Sequence, residues 1–530
     1  MGAHKTALRL HSVHGNSTAS RGGVLADEKP RDSLALPMKD DFCCDAQGAV
    51  SVDYLAKPLV VDLDGTLIHT DMLCESALRV FKNNPVEILR VPFVLWKGKA
   101  FLKQYLASKS DPDPKTLPYN EELLEWLTQQ RAEGRRLVLC TASDRKIADL
   151  VAGHVGIFDE VIASDGVSNI AGQNKAAVLV ERFGLRGYDY VGNSHKDLPV
   201  WSQADKAIVV NGSTELVKKA QNISTVERVF PAKQPGFSSW RRVFRVHQWL
   251  KNLLLFVPLF AAYDFGNLNA WESLILGFAS FSLCASSVYI VNDLLDLESD
   301  RLHPRKRNRP FASGSVSVWT GVLIAPLLLI VSLTVAALVG QQFLHCLILY
   351  FVLTCAYSYV LKRLVLIDCI TLALLYTLRV IAGAAAAGYG ISFWLLAFSA
   401  FLFLSLAFLK RYAELEVQLL GGKGKIHGRG YHTADASLVQ TMGIVSGYLS
   451  SLVLILYLDS EAARGLYAMP NLIWGAVPVM LFWVSWMWLQ AHRGKMHDDP
   501  IVFAIKDRAS LAAGVAFSVI LLAGARGGVW

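Results

Sequence analysis

The chain has 530 residues, 53% of them hydrophobic, with a formal net charge of +8 and a mean hydropathy of +0.35. That is long enough for two or three domains, too apolar for an ordinary soluble protein and too mixed for a pure membrane channel. The bases lie in loops beside apolar runs rather than on one basic face, which argues for membrane orientation and an anionic substrate and against nucleic acid.

Residues 1–55 are rich in Ser, Gly, His, Asp and Arg with no sustained period, and read as a poorly ordered tail. No apolar core near Met1 has the length of a signal peptide, so the domain that follows is expected to stay in the cytoplasm. The cysteines form no CxxC and no metal spacing, and several lie in apolar runs; they read as buried thiols in a reducing compartment.

From Lys57 the pattern changes. PLVVDLDGT (58–66) predicts a short buried strand ending in two acids, Asp62 and Asp64, and a Gly-Thr turn. RLVLCTAS (136–143) predicts a second apolar strand ending in the hydroxyls of Thr141 and Ser143. Lys175 falls in the helical segment AGQNKAAVLVERFG, and YDYVGNSHKD (188–197) is a strand followed by a polar turn. Strands alternating with helical segments predict an α/β domain with a parallel sheet, its ligands at the carboxyl ends of the strands. The mostly helical stretch 68–119 reads as a small cap. Within it, 88–106 mixes Phe93, Trp96 and Phe101 with Lys97, Lys99 and Lys103, and either docks at a membrane surface or packs its apolar side inward.

These four motifs, in this order, resemble the haloacid dehalogenase-type phosphatases over about 56–225. The resemblance implies a Rossmann-like fold with a helical cap, Asp62 as nucleophile and Asp64 as general acid, then base. It also implies Thr141 (or Ser143) and Lys175 on the phosphate oxygens, and Mg²⁺ held by Asp62, Asp64 and the last motif. In one respect the chain departs from that pattern. The first acid of the family's last motif is Asn193 here, with Asp197 the nearby carboxylate. An amide oxygen ligates Mg²⁺ without charge, so an active phosphatase and a slow or structural one both stand at this point.

Residues 226–245, with Pro231 and Pro235, read as a linker, and Arg241, Arg242, Arg245, His247 and Lys251 as a cytoplasmic flank. Residues 246–530 predict an all-α polytopic membrane domain of about nine transmembrane helices. They are expected near 250–263, 271–291, 316–340, 343–361, 364–387, 393–409, 438–458, 472–489 and 509–523. Connections after the even-numbered spans are rich in Lys and Arg, whereas those after the odd-numbered ones hold only Arg464. The positive-inside rule then puts the basic loops and the N-terminus in the cytoplasm.

The most informative stretch is 289–310, YIVNDLLDLESDRLHPRKRNRP. If the helix continues, Asn292, Asp296 and Asp300 share one face at i, i+4 and i+8, with Asp293 offset by a turn. Oxygen donors so stacked suit a hard cation such as Mg²⁺ and, through it, a diphosphate. Arg301, His303, Lys306 and Arg309 follow at once, where anions are welcome. The bland alternative is a charged, solvated loop between two spans. Further along, Asp368, Thr371 and Arg379 fall on one helix face with Tyr376 beside them, and Lys410, Arg411 and Glu414 close the sixth span. Polar groups inside apolar spans are costly and usually functional; orientation alone explains the Lys and Arg but not the acids.

The pattern NDxxDxxxDRxHPxKxxRP, followed by KRxAE, resembles the UbiA-type intramembrane prenyltransferases over about 244–530, and among them the decaprenyl-phosphate phosphoribosyltransferase branch. That branch moves 5-phosphoribose from phosphoribosyl diphosphate (PRPP) onto a long polyprenyl phosphate in the lipid bilayer. A typical UbiA enzyme carries a second acidic motif, DxxxD, after the sixth span; the corresponding loop here has none and is basic. The resemblance implies Mg²⁺ on Asn292, Asp293, Asp296 and Asp300. It places phosphates on Arg301, His303, Lys306, Arg309 and Lys362, and the lipid phosphate near Arg379, Lys410 and Arg411, with Asp368, Tyr376 and Glu414 beside them. The expected protein is a two-step enzyme of the cytoplasmic (inner) membrane, transferring phosphoribose and then removing its 5′-phosphate. The rivals are a prenyltransferase using a prenyl diphosphate and an aromatic acceptor, and a non-enzymatic transporter or scaffold.

Overall fold

The computed structural model describes residues 57–232, 235–420, 429–461, 467, 469–496 and 499–525. The expected tail at 1–55 and part of the basic loop, 421–428, lie outside them.

The first domain is built on six parallel strands: β1 (Leu59–Val61), β2 (Leu137–Asp144), β3 (Glu160–Ser164), β4 (Asp189–Gly192), β5 (Lys206–Gly212) and β6 (Thr225–Pro231). Their order across the sheet is β3-β2-β1-β4-β5-β6. Strands covered on both faces read as continuous apolar runs, and β1 shows the consequence. Leu59 and Val61 point into one core with Leu137 and Leu139, while Val60 points into the other with Val138 and Cys140. Leu59 pairs with Leu137 on one side and Asp189 on the other, so Asp62 leaves β1 where the strand order reverses, the usual ligand position in such sheets. The expected linker at 226–245 begins as strand instead. β6 extends the sheet because Phe230 is buried against Trp126, at 5.7 Å between ring centroids.

The cap holds α1 (Met72–Asn83), α2 (Val91–Trp96) and α3 (Lys99–Lys109). The carboxylate of Asp71 starts α1 by accepting the Cys74 N–H at 3.0 Å. The stretch 88–106 does pack an apolar side inward, with Leu102 and Leu106 buried and Val91 and Val94 of α2 half-buried against them, while Phe93 and Trp96 of α2 face outward at 71% and 89% exposed.

The second domain is helical. Its main elements are α4 (Leu268–Leu295), α5 (Leu297–Leu302), α6 (Val318–Val339), α7 (Gln341–Tyr359), α8 (Ile367–Ala387), α9 (Phe393–Leu420), α10 (Ala436–Asp459), α11 (Ala476–His492), α12 (Pro500–Lys506) and α13 (Arg508–Gly524). Among the described residues, seven helices are long and apolar enough to cross a membrane, or eight if the α12–α13 pair, bent by 84°, is one span. The expected nine is therefore corrected at its first member. Residues 250–263 fold as part of a 3₁₀ stretch (Val246–Phe256) and a six-residue helix (Val257–Ala262), not as one helix. Pro258 offers no N–H to continue the ladder, and Arg245 and Tyr263 bracket the segment in the left-handed region, at φ 48° and 54°.

Two of the helices are longer than a bilayer needs. At 28 residues each, α4 and α9 run about 42 Å against a hydrocarbon thickness of about 30 Å, so each projects polar residues past the apolar layer. The projecting ends are Asn292–Asp293 on α4 and Lys410–Glu414 on α9. Cap helix α1 packs against α4 and α6, which brings the two domains together beside the first of these ends.

Candidate active sites

The loop after β1 carries Asp62 and Asp64. Lys175, on the helix Gln173–Phe183, donates to Asp62 at 2.7 Å and to the Tyr190 hydroxyl at 2.8 Å, and that hydroxyl donates to Asp197 at 3.0 Å. Burial pushes the Asp62 carboxyl up from its ordinary value, opposed by the Lys175 ammonium. Asp64 accepts the Met72 N–H at 2.8 Å and the Ser143 hydroxyl at 2.5 Å. Burial, helped by the charge of Asp71, lifts its carboxyl to about 7. Thr141 is fully buried and accepts the Ser143 N–H at 3.0 Å. Asp197 accepts the N–H groups of Asn193 and Ser194 at 3.1 and 2.9 Å, so it shapes that turn. Asn193 lies directly over Gly65, whose φ of 75° and lack of a side chain make room for the amide. All the residues expected from the four motifs thus meet at one end of the sheet.

At the end of α4 the acids divide. Asp293 pairs with Arg245 and, at 3.0 Å, with Arg309; Arg309 also reaches Asp300 at 2.5 Å. Asp300 is 1% exposed, and burial raises its carboxyl despite Arg309. Lys306 stands 3.8 Å from it. Asp296 is the C-cap of α4 and faces Lys82 of the cap at 3.6 Å, while Asn292 donates to Ser358 at 3.1 Å. The half-buried Lys362 lies in the field of Asp296; burial lowers its pKa.

Two expected phosphate ligands on this loop have other partners. Arg301 is turned into the domain interface, where both terminal nitrogens bond Glu75 of the cap. The His303 ring accepts the backbone N–H groups of Arg305 and Lys306 at 3.2 and 3.3 Å and so shapes the turn.

The basic residues deeper in the bundle also separate into two kinds. Arg411 and Asp368 are completely buried 2.6 Å apart, with Glu414, Arg429 and Tyr431 around them. Arg379 is spent on Asn252 at 3.0 Å, the Leu375 carbonyl at 2.6 Å and Tyr350 at 3.0 Å. Asp368, Arg379, Arg411 and Glu414 are thus each paired with other protein groups. Lys410 behaves differently. It meets Lys251 on a single carboxylate, Asp499, at 3.0 and 2.7 Å, with the Tyr376 hydroxyl donating to the same group at 3.3 Å. Two ammonium groups on one carboxylate leave a positive balance that suits a further anion.

Family models match both halves: haloacid dehalogenase-like hydrolase over residues 59–202 and the UbiA prenyltransferase family over 253–504. The chain is 37% identical over 459 residues to the "Uncharacterized protein y4nM" of Sinorhizobium fredii, covering 86% of this chain and 89% of that one. It is 36% identical to the "Nodulation protein NoeC" of Azorhizobium caulinodans, over 55% of this chain and 95% of that one. The chain is a UbiA-family membrane enzyme joined to a haloacid dehalogenase-like hydrolase domain. A third relative, the "Decaprenyl-phosphate phosphoribosyltransferase" of Mycolicibacterium smegmatis, is 36% identical over 33% of this chain and 57% of its own length.

In this UbiA-family chain Lys251, Asp499 and Arg245 join the site without a motif that marks them. Lys251 looked like a flank, and Asp499 is legible only as an acid in the run MHDDP beside a span. The fit of Mg²⁺ rests on one orphaned atom. Asp300 Oδ1 is buried with no hydrogen-bond partner, which suits a cation. Among the described residues no three His, Cys, Asp or Glu side chains gather into a cage. The expected Asp293, Asp296 and Asp300 therefore do not gather as one carboxylate set, and a Mg²⁺ there would have at most two of them as ligands. In the hydrolase domain, the buried Asp62 carboxylate and the amide of Asn193 offer hard oxygens of the same kind.

Proposed function

We propose that the membrane domain (246–530) transfers 5-phosphoribose from PRPP to a polyprenyl phosphate, and that the hydrolase domain (56–225, cap 68–119) then removes the 5′-phosphate. The products are diphosphate, inorganic phosphate and polyprenyl-phosphoryl-ribose. Both sites face the cytoplasmic side of the inner membrane in this reading, as the basic loops favour. The observation that carries it is the division of charge. One acidic motif surrounds Asp300, and a separate pair of ammonium groups, Lys251 and Lys410, shares one carboxylate. A donor diphosphate and a lipid monophosphate ask for that set, whereas two acidic motifs serve a prenyl diphosphate. The decaprenyl-phosphate phosphoribosyltransferase relatives support the same choice.

Asn292, Asp296 and Asp300 would hold Mg²⁺, with Asp293 behind them. The ion supplies charge that stabilises the departing diphosphate. Arg309 and Lys306 would exchange part of their hold on Asp300 for diphosphate oxygens, and Lys362 would complete the cationic rim. Lys410 and Lys251 exchange part of their hold on Asp499 for the lipid phosphate and aim one of its oxygens at C1 of the ribose. That oxygen forms the new C1–O bond as the bond from C1 to diphosphate breaks. The lipid phosphate is already an anion at neutral pH, so no general base is needed.

In the hydrolase domain Asp62 attacks phosphorus and the P–O bond to the ribose 5′-oxygen breaks, with Asp64 giving that oxygen its proton. Water then attacks the aspartyl phosphate while Asp64 takes a proton, releasing phosphate and restoring Asp62. Lys175 keeps Asp62 ionised and, with Thr141 and Ser143, meets the phosphate oxygens. Incubation of the purified full chain with radiolabelled PRPP and polyprenyl phosphate tests the first step. Label should enter the lipid phase in wild type and fail to do so in Asp300→Asn. Consumption of a prenyl diphosphate with no use of PRPP would establish the rival prenyltransferase.

A further inference from the structure

A cavity of about 810 Å³ lies between the two domains. One wall is the catalytic end of the hydrolase sheet, with Asp64, His69 and Asn193; the other is the membrane-domain loop that leaves the donor motif, with Asn308, Ser317 and Trp319. The walls are held in register. Gly314 of the loop, at φ 70°, presses its Cα against His69, where a side chain has no room, and Arg301 anchors the same loop to Glu75. Trp319 is the second residue of α6, a helix long and apolar enough to cross a membrane, and it is 42% exposed. The cavity therefore runs from the hydrolase acids to the end of a candidate span, where an aromatic ring with a polar edge sits well at a lipid–water boundary.

The lining supplies hydroxyls, carboxamides and carboxylates but no Lys or Arg. Such a surface offers hydrogen bonds to the hydroxyls of a sugar whose phosphate groups lie at its two ends, one at Asp64 and the other at the junction with the lipid. We propose that this cavity is the recognition site for a phosphorylated sugar whose other end remains attached to a membrane lipid, so that membrane-domain residues set the specificity of the hydrolase. The phosphate enters at Asp62 and Asp64, the sugar lies along the cavity, and Trp319 and Ser317 meet the junction of sugar and lipid. This rests on the phosphatase reading and adds to it the cavity that recognises the substrate and the membrane-domain residues that select it.

The test uses the full chain in detergent with two ready-made probes, ribose 5-phosphate and synthetic polyprenyl-phosphoryl-ribose 5-phosphate, so that no transferase step is required. Wild type should hydrolyse the lipid probe with the higher kcat/KM. Trp319→Ala and Gly314→Val should each lower that value about tenfold while turnover of ribose 5-phosphate stays within about twofold. The soluble probe also reports that each variant is folded, and Trp319→Phe should restore most of the loss. Equal losses on both probes, or no loss on either, would overturn the assignment while leaving the phosphatase reading intact. Wild type that hydrolyses neither probe overturns both.

Discussion

Arg301 of the UbiA-type domain grips Glu75 of the hydrolase cap with both terminal nitrogens, at 3.0 and 2.5 Å, and the two side chains are only 7% and 11% exposed. Thr70 donates to the same carboxylate at 2.6 Å, and Arg301 Nε donates to the Ala312 carbonyl at 3.1 Å. One guanidinium thus ties the donor motif, the loop after it and the cap together. Cutting one partner from such a pair leaves a buried charge uncompensated. Glu75→Ala should destabilise the full chain by about 3 kcal/mol, with Glu75→Gln milder. Chemical denaturation of the single variants and of Glu75→Ala/Arg301→Ala checks the pairing. The double variant should lose less than the sum of the singles, and simple additivity would contradict the coupling.

Lys410 and Arg411 are adjacent and should fail in different ways. Lys410 is 27% exposed on the shared carboxylate of Asp499, whereas Arg411 is fully buried on Asp368. Lys410→Ala should leave a folded protein with a raised KM for polyprenyl phosphate and an unchanged thermal midpoint. Arg411→Ala strands Asp368 and should lower stability by about 3 kcal/mol, so that little folded protein is recovered. Thermal melts beside transfer kinetics separate the two; matching phenotypes would remove the distinction.

Asp300→Asn should cripple transfer, because it takes away the negative charge of a buried carboxylate whose Oδ1 has no hydrogen-bond partner. The expected loss is at least about 100-fold in kcat, as for other preorganised electrostatic groups. Hydrolysis of ribose 5-phosphate by the same variant should be unchanged. Loss of both activities would mean that Asp300 supports the fold instead.

The hydrolase acids set a pH dependence. Burial raises the carboxyls of both Asp62 and Asp64, the latter from 3.8 to about 7. A carboxyl raised in the folded state is best tolerated protonated. Its favourable contribution to folding is present below the ordinary carboxylate range and lost as pH climbs from about 4 through 7. A divalent cation offsets the ionised form. Mg²⁺ should therefore raise the thermal midpoint more at pH 8 than at pH 5, and Asp62→Asn should shrink that difference. An equal Mg²⁺ effect at both pH values in wild type would contradict it.

The legible parts of this molecule were the local ones. Asp62 and Asp64, Thr141, Lys175 and Asn193 each sit in a short motif whose strand or helix is set by neighbouring residues, and the sheet brings all of them to one end. What stayed hidden depends on distant partners. Arg301 looks like a phosphate ligand until Glu75, 226 positions away, is seen beside it. Lys251 and Asp499 are 248 positions apart, and neither alone announces the pair. The strand at Thr225–Pro231 was masked by its proline and by exposed charges on an edge position. The segment at 250–263 has a span's composition without a span's continuous helix, since it is 3₁₀ up to Phe256, Pro258 lacks the N–H to continue the ladder, and left-handed Tyr263 ends it.

The most direct measurement is the mass of the lipid made from isotopically labelled PRPP and polyprenyl phosphate by wild type and by Asp62→Asn. Wild type should yield labelled polyprenyl-phosphoryl-ribose, and the variant should stop at the same lipid carrying one additional phosphate group. The same lipid from both proteins would contradict the assigned second step, and a lipid without label from wild type would contradict the first.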